Sequence, residues 1–364
     1  MTPVAPKGRI LSRLAFFVAP TVVALSLAGA AMLIHRSTAF DLNLIVTELS
    51  FESAATQEAQ LVDKTAFSSL TMHGIERGEM DRAYFVKEGG DAHAGAPPSV
   101  PVRLSAREAR GATVMLAISG LGAPAAGELD RLFLPPGGRA ELAITPETPP
   151  ALSMRVFDRA SRVVLSMRGS WNVVLLGARI DSGTAMPIEA ASSTLKLEAG
   201  EDRSFVEMWG TAAGLTLALT ALADGGPSSA LVSNLRVSAI GFQTQGTTGE
   251  ALTTVSGDGT IALPGAPERE TIEVKEGHFV VLGGPRSFWI RRLELQPERH
   301  AIRLEAGGVA ESLKSGPAGG FQEHALTWFD SVWHQPRSVQ LFALAVWLFP
   351  TTLAGHRFLK GLRE

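Results

Sequence analysis

Short runs of alternating hydrophobic and polar residues fill most of the chain between residues 37 and 320. Two examples are ATVMLAIS over 112–119 and AELAIT over 140–145. Turn-forming residues separate the runs, among them Pro135-Pro136-Gly137-Gly138 and Gly257-Asp258-Gly259, which we interpret as hairpin turns. Alternation with a period of two, with no sustained helical period, predicts a mainly β fold. We expect an antiparallel β-sandwich-like architecture.

A boundary inside this β region is predicted near residues 177–190. The stretch GARIDSGTAMPIEAASS starts at residue 177 and is rich in small and turn-forming residues. Such composition is typical of a domain boundary. The sequence therefore predicts two β domains, over 37–177 and 178–320.

The first strongly apolar segment covers residues 14–34 and contains 21 residues without a charge. At about 1.5 Å per residue this length matches the roughly 30 Å hydrocarbon core of a bilayer, so we predict a transmembrane helix. The alternative is a cleaved signal peptide, since Ala28-Gly29-Ala30 has the small-x-small form of a cleavage site. The apolar run continues to Ile34, beyond such a site, which favours a retained anchor.

The second apolar segment covers residues 338–355 and contains 18 uncharged residues. It predicts a second transmembrane helix, although Pro350 and the short length leave open a buried core helix or a re-entrant piece. Basic residues flank both segments and predict cytoplasmic tails over 1–13 and 356–364. The region between the two helices would then be an extracytoplasmic, periplasmic ectodomain on a bacterial inner membrane.

Two further segments have helical character in the sequence. Residues 53–65 contain helix formers and favour either a helix or a polar connector. Residues 321–334 place their apolar residues on one helical stripe, which predicts an amphipathic juxtamembrane helix. Its aromatic residues Trp328, Phe329 and Trp333 are candidate anchors to the membrane interface or to a partner, or they pack on the β region.

Known catalytic and metal-binding motifs are absent from the sequence. It contains no H-E-x-x-H, G-x-S-x-G, Walker or G-x-G-x-x-G pattern, no cysteine, and eight scattered histidines. We therefore expect no catalytic residue, cofactor or metal site. The formal net charge of −3 gives no support for nucleic-acid binding.

A basic cluster is the one candidate binding surface in the sequence. Its residues are Arg291, Arg292, Arg299 and Arg303, which lie around the alternating apolar residues Leu293, Leu295, Ile302 and Leu304. On strands they would form a basic face able to contact acidic glycans or lipid head groups. A solvated surface balanced by neighbouring glutamates is the favoured alternative.

These observations favour a non-enzymatic, membrane-anchored envelope protein whose β ectodomain binds a partner protein or an envelope polymer. The expected binding partners are membrane lipid and a protein, which is either a different protein or a second copy of this chain. The first transmembrane helix offers close helix contact through small-x-x-x-small pairs such as Ala24 and Ala28. An envelope glycan- or lipid-acting enzyme, and an accessory or sensory subunit of a membrane complex, remain as alternatives.

Overall fold

The computed structural model describes most of the β region and neither end of the chain. The described residues are 37–80, 84–87, 102–106, 114–121, 126–145, 150–157, 161–181, 188–198, 204–220, 230–264, 270–284 and 287–326. Within these ranges, no helix has the length and hydrophobicity needed to span a membrane. Both predicted transmembrane segments, 14–34 and 338–355, lie outside the described residues.

Twenty-five strands and one short 3₁₀ helix, Pro297–Arg299, make up the described secondary structure. The strands of the first half are β1 Thr38–Val46, β2 Glu48–Ser53, β3 Ala59–Phe67, β4 Ser69–Met80, β5 Tyr84–Lys87, β6 Val102–Ala106, β7 Val114–Gly120, β8 Ala126–Leu134, β9 Arg139–Thr145, β10 Ala151–Phe157, β11 Arg162–Arg168 and β12 Ser170–Asp181. The strands of the second half are β13 Ile188–Glu198, β14 Ser204–Gly210, β15 Gly214–Thr220, β16 Ala230–Gly241, β17 Gln243–Gln245, β18 Ala251–Thr253, β19 Val255–Ala262, β20 Thr271–Val274, β21 Phe279–Gly283, β22 Ser287–Gln296, β23 Ala301–Ala310, β24 Ser312–Gly316 and β25 Gln322–Glu323.

Alternation in the sequence becomes alternation of burial in the strands. In β1, for example, Phe40, Leu42, Leu44 and Val46 are buried while the residues between them are only partly covered. Because successive side chains of a strand point to opposite faces, this pattern packs one face against the core and turns the other outward. All strand pairings are antiparallel, and the prediction of a mainly β, antiparallel fold is confirmed for the described residues.

The twelve-residue strand β4 is the branch point of a 20-stranded sheet. Its first half pairs with β7 and β15, and its second half pairs with β6 and β14. Gly74 lies between the two halves with a φ of 85°, and an added Cβ there would lie 2.4 Å from the carbonyl oxygen of Gly214. Glycine therefore permits the close approach of backbones at the bend of β4.

Three arms leave this branch point. The first passes from β14 through β11 and β8 to β3. The second passes from β15 through β10, β9, β2, β16, β22, β23 and β1 to β19 and β20. The third passes from β6 and β7 through β12 and β13 to β5. The buried apolar side chains of the strands form one continuous core. In it, the ring centroids of Trp171 and Phe67 are 5.7 Å apart.

Strand pairings link the two predicted β domains. β12 runs without a break from Ser170 to Asp181, through the predicted seam at residue 177. In addition, β1 pairs with β19 and β23, and β4 pairs with β14 and β15. Residues on both sides of the seam thus contribute to one hydrogen-bonded sheet. The division into two domains stays a prediction.

Two local interpretations need correction. Of the two alternatives for residues 53–65, the helix is wrong and the connector holds only for residues 54–58, because β2 ends at Ser53 and β3 begins at Ala59. Gly257-Asp258-Gly259 is not a hairpin turn, because these residues lie inside β19. By contrast, Gly137 and Gly138 do form the turn between β8 and β9, where the Gly138 amide donates to the Pro135 carbonyl at 2.8 Å.

The described chain ends in what we call the C-terminal clasp, residues 321–326. Here Gln322 and Glu323 pair with β24 as a short strand, and the residues that follow have no helical structure. The predicted helix over 321–334 is therefore wrong for its first six residues, and its remainder lies outside the described residues. The amide of Leu326 donates to the Thr38 hydroxyl at 2.9 Å, so the two ends of the described chain meet.

Glu323 holds the clasp in its extended form. Its carboxylate accepts hydrogen bonds from the Leu313 amide at 2.9 Å, the Ala325 amide at 3.3 Å and the Ser312 hydroxyl at 3.0 Å. Partial burial by itself would raise the pKa of this carboxyl group. These hydrogen bonds and the charge of Lys314 outweigh the burial and hold the pKa of Glu323 below its usual value.

Candidate functional site

A polar groove of about 430 Å³ opens on the outer face of the sheet, where β1, β19, β20 and β23 lie side by side. The 3₁₀ helix between β22 and β23 contributes one wall. The residues that line this polar groove are Asn43, Ile45, Asp258, Gly259, Thr260, Glu273, Val274, Lys275, Gln296, Arg299 and Arg303.

A β-bulge forms the floor of the polar groove. Asn43 pairs with Thr260 and Ile45 pairs with Gly257, so two residues of β19 lie opposite the single residue Leu44 of β1. An added Cβ on Gly259 would lie 2.6 Å from the carbonyl oxygen of Asn43. Glycine at position 259 therefore permits the close approach of β19 to β1, and the bulge places Asp258 in the lining.

Charged groups of both signs line the polar groove. Arg303 is held in place: its Nε donates to the Asn43 side-chain oxygen at 3.3 Å, and its Nη2 lies 3.4 Å from the Glu305 carboxylate. Lys275 and Arg299 form no ion pair with any residue that the structure describes. These two cations are available to a ligand.

Acceptors are also available in the polar groove. Asp258 and Glu273 form no ion pair among the described residues. The side-chain oxygen of Gln296 is buried and has no hydrogen-bond partner there. The groove is thus suited to a ligand that carries both donors and acceptors.

The structure divides the predicted basic cluster into two pairs. Arg299 and Arg303 line the polar groove. Arg291 and Arg292 lie further along β22, where Arg291 pairs with Asp41 at 2.5 Å and Arg292 pairs with Glu294 at 3.0 Å. That the four residues form an anion-binding face stays a prediction.

The candidate anchors Trp328, Phe329 and Trp333 lie outside the described residues.

Sequence reasoning missed two residues of the groove, Lys275 and Gln296. No local pattern marks Lys275, because the pairing of β20 with β19 brings it to the groove.

A Ser–His contact is the arrangement nearest to a nucleophilic site. The Ser315 hydroxyl and His324 Nε2 are 2.8 Å apart, but Ser315 is buried. Burial lowers the pKa of His324, against the opposing effect of Glu270 and Glu323. Neither the polar groove nor a second groove beside His73 reaches Ser315. Within the described ranges, no cluster of three or more histidine and acidic side chains is suited to a metal ion.

Comparisons with known proteins do not assign this site. No family model matches the chain, no curated protein matches it, and no solved structure matches it.

Proposed function

We propose that this chain is a non-enzymatic, membrane-anchored envelope protein whose β ectodomain binds a partner of the cell envelope through the polar groove. The observation that carries the proposal is an open groove in which Lys275 and Arg299 lie beside Asp258 and Glu273, with no ion pair for any of the four among the residues that the structure describes. The partner is a polymer or protein segment with both donors and acceptors.

A binding role fits the groove better than a catalytic one. The described lining contains neither histidine nor serine, and its charged groups are spread over β19, β20, β23, the residue after β20 and the 3₁₀ helix. Catalytic acids, bases and nucleophiles work within hydrogen-bond reach of one reacting centre. A row of separate charges on an open surface instead favours recognition of an extended ligand.

Membrane anchoring is supported by the sequence and by the position of the chain ends. The first predicted transmembrane segment ends four residues before Thr38, and the second begins twelve residues after Leu326. Because Leu326 donates a hydrogen bond to Thr38, both anchors would leave the ectodomain at one place. On this proposal the termini are cytoplasmic and the protein belongs to a bacterial inner membrane.

Co-sedimentation with purified, protein-free cell-wall sacculi tests the proposal. Sacculi carry sugar hydroxyls, amides, carboxylates and amines, so they offer both donors and acceptors to the groove. The full-length chain in nanodiscs should sediment with sacculi, and the double variant Lys275→Ala/Arg299→Ala should bind at least about tenfold more weakly, since each charge-assisted contact is worth about 1.5–3 kcal/mol.

Arg292→Ala is the matched control. It also removes one exposed cation from the same sheet face, but its guanidinium is already paired with Glu294 outside the groove. We expect binding within about twofold of the unaltered chain, as is usual for an exposed ion pair. Equal binding by the double variant and by this control, or no sedimentation of the unaltered chain, would contradict the proposed function.

A further inference from the structure

An exposed tryptophan lies on the same outer sheet face as the polar groove. Trp289 on β22 is 44% exposed. It pairs across the sheet with Gly307 on β23, and Arg303 is four residues before Gly307 on that strand. Residues an even number apart on a strand share a face, and four residues span about 13 Å. Trp289 and the groove thus belong to one continuous surface.

Charged groups flank the indole ring. The Arg236 guanidinium lies over the ring, 6.0 Å from its centroid. On the opposite side, the ion pair of Arg291 with Asp41 lies over Gly307, because an added Cβ at this glycine would meet both side chains. The immediate neighbours of Trp289 on the two adjoining strands are therefore charged side chains and a glycine.

This environment favours a polar ligand over a membrane surface. Aromatic residues that insert into a membrane normally lie in an apolar patch. A sugar ring has C–H groups on its faces and hydroxyl groups around its rim. An aromatic face bordered by guanidinium and carboxylate groups complements both parts of such a ring.

We propose that Trp289 is a stacking subsite for a pyranose ring, and that the ligand of the polar groove is a glycan chain that runs from the groove to this tryptophan. This inference rests on the proposed function, which it makes more specific. The sugar ring stacks on the face of the indole that Arg236 does not cover, while the Arg291–Asp41 pair binds hydroxyl groups at its rim. Glu305 lies between Gly307 and Arg303 on the same face of β23 and continues the polar surface towards the groove.

Binding to glycan strands freed of peptide tests this inference. Sacculi treated with an amidase that removes the peptides supply the probe, and affinity is measured with the full-length chain in nanodiscs. Trp289→Ala should weaken binding by roughly fivefold to tenfold, the range expected for loss of one aromatic stacking contact. Trp289→Phe keeps an aromatic face and should retain most of the affinity.

Phe205→Ala is the matched control, because Phe205 is equally exposed at 49% but lies on β14, away from this surface. It should leave binding unchanged. Unaltered binding by Trp289→Ala, or the same loss in both alanine variants, would overturn the stacking subsite. If only Lys275→Ala/Arg299→Ala weakens binding, the groove proposal stands and the stacking subsite fails. Loss of all binding after peptide removal would assign the ligand to peptide and refute the glycan.

Discussion

Replacing Glu323 with glutamine should open the C-terminal clasp without unfolding the sheet. In the native chain one carboxylate accepts two backbone amides and one hydroxyl. A glutamine side chain keeps the size but loses the charge, and its NH₂ group replaces one acceptor with a donor. Hydrogen bonds to a charged group contribute about 1.5–3 kcal/mol each, but the side chain is 28% exposed and solvent compensates part of the loss. We expect a net local cost of about 2 kcal/mol.

Hydrogen exchange measures this cost directly. A local cost of about 2 kcal/mol raises the population of the open clasp about 30-fold, so amide exchange in the clasp should speed up by that factor. The amides of Leu313, Ala325 and Leu326 are the reporters, since each donates a hydrogen bond in the native clasp. Exchange in β4, at the centre of the sheet, should not change.

Lys314→Ala is the control, and pH gives an independent test. The Lys314 ammonium lies 3.7 Å from the Glu323 carboxylate and is largely solvated, so its loss should cost no more than about 0.5 kcal/mol. Since the folded-state pKa of Glu323 is lowered, its contribution is present above the ordinary value of 4.5 and is lost as pH falls through the folded-state pKa. If the clasp amides exchange equally slowly in Glu323→Gln and in the unaltered chain, the role of this carboxylate is refuted.

Two other substitutions test the electrostatics and the packing of the sheet. Partial burial and the neighbouring Glu141 carboxylate raise the pKa of Glu48 above 4.5, so stability at this site is present at low pH and is lost as pH rises through the folded-state pKa. Glu48→Gln should therefore stabilise the fold at pH 7 by about 0.5–1 kcal/mol in urea unfolding, and an advantage that persists below pH 4 would contradict this explanation. Gly127→Ala should destabilise by about 1–3 kcal/mol, because the new Cβ would lie 2.6 Å from Phe67 Cε2. Gly78→Ala, whose nearest contact is 3.3 Å, should cost clearly less by the same measurement, and equal costs would reject the packing argument.

The sequence predicts the class of this fold better than its connections. Alternation identifies which side chains of β1 face the core, because a strand with one buried face must alternate. Alternation does not show which strands pair with each other. β4, for example, pairs with β14 and β15, which are more than 120 residues away in the sequence. Long-range pairing depends on how all strands pack together, which local patterns do not specify.

Glycine is the residue whose role the local pattern misidentifies. Gly257 and Gly259 flank an aspartate and suggest a turn, but in the structure they allow β1 to approach a bulged β19. The same limit applies to the polar groove. The run of arginines indicates Arg299 and Arg303, whereas Lys275 enters the site only because β20 pairs with β19.

On the proposed topology, the contact between Thr38 and Leu326 would place both connections to the membrane on the same side of the β region. Ile45, in the polar groove, is seven residues along β1 from Thr38, which corresponds to about 23 Å. On this topology the groove would lie at most about 23 Å further from the bilayer than the clasp, and the full distance would apply only with β1 along the membrane normal. A force between the membrane and a bound ligand would then act first on β1 and on the hydrogen bonds of the clasp.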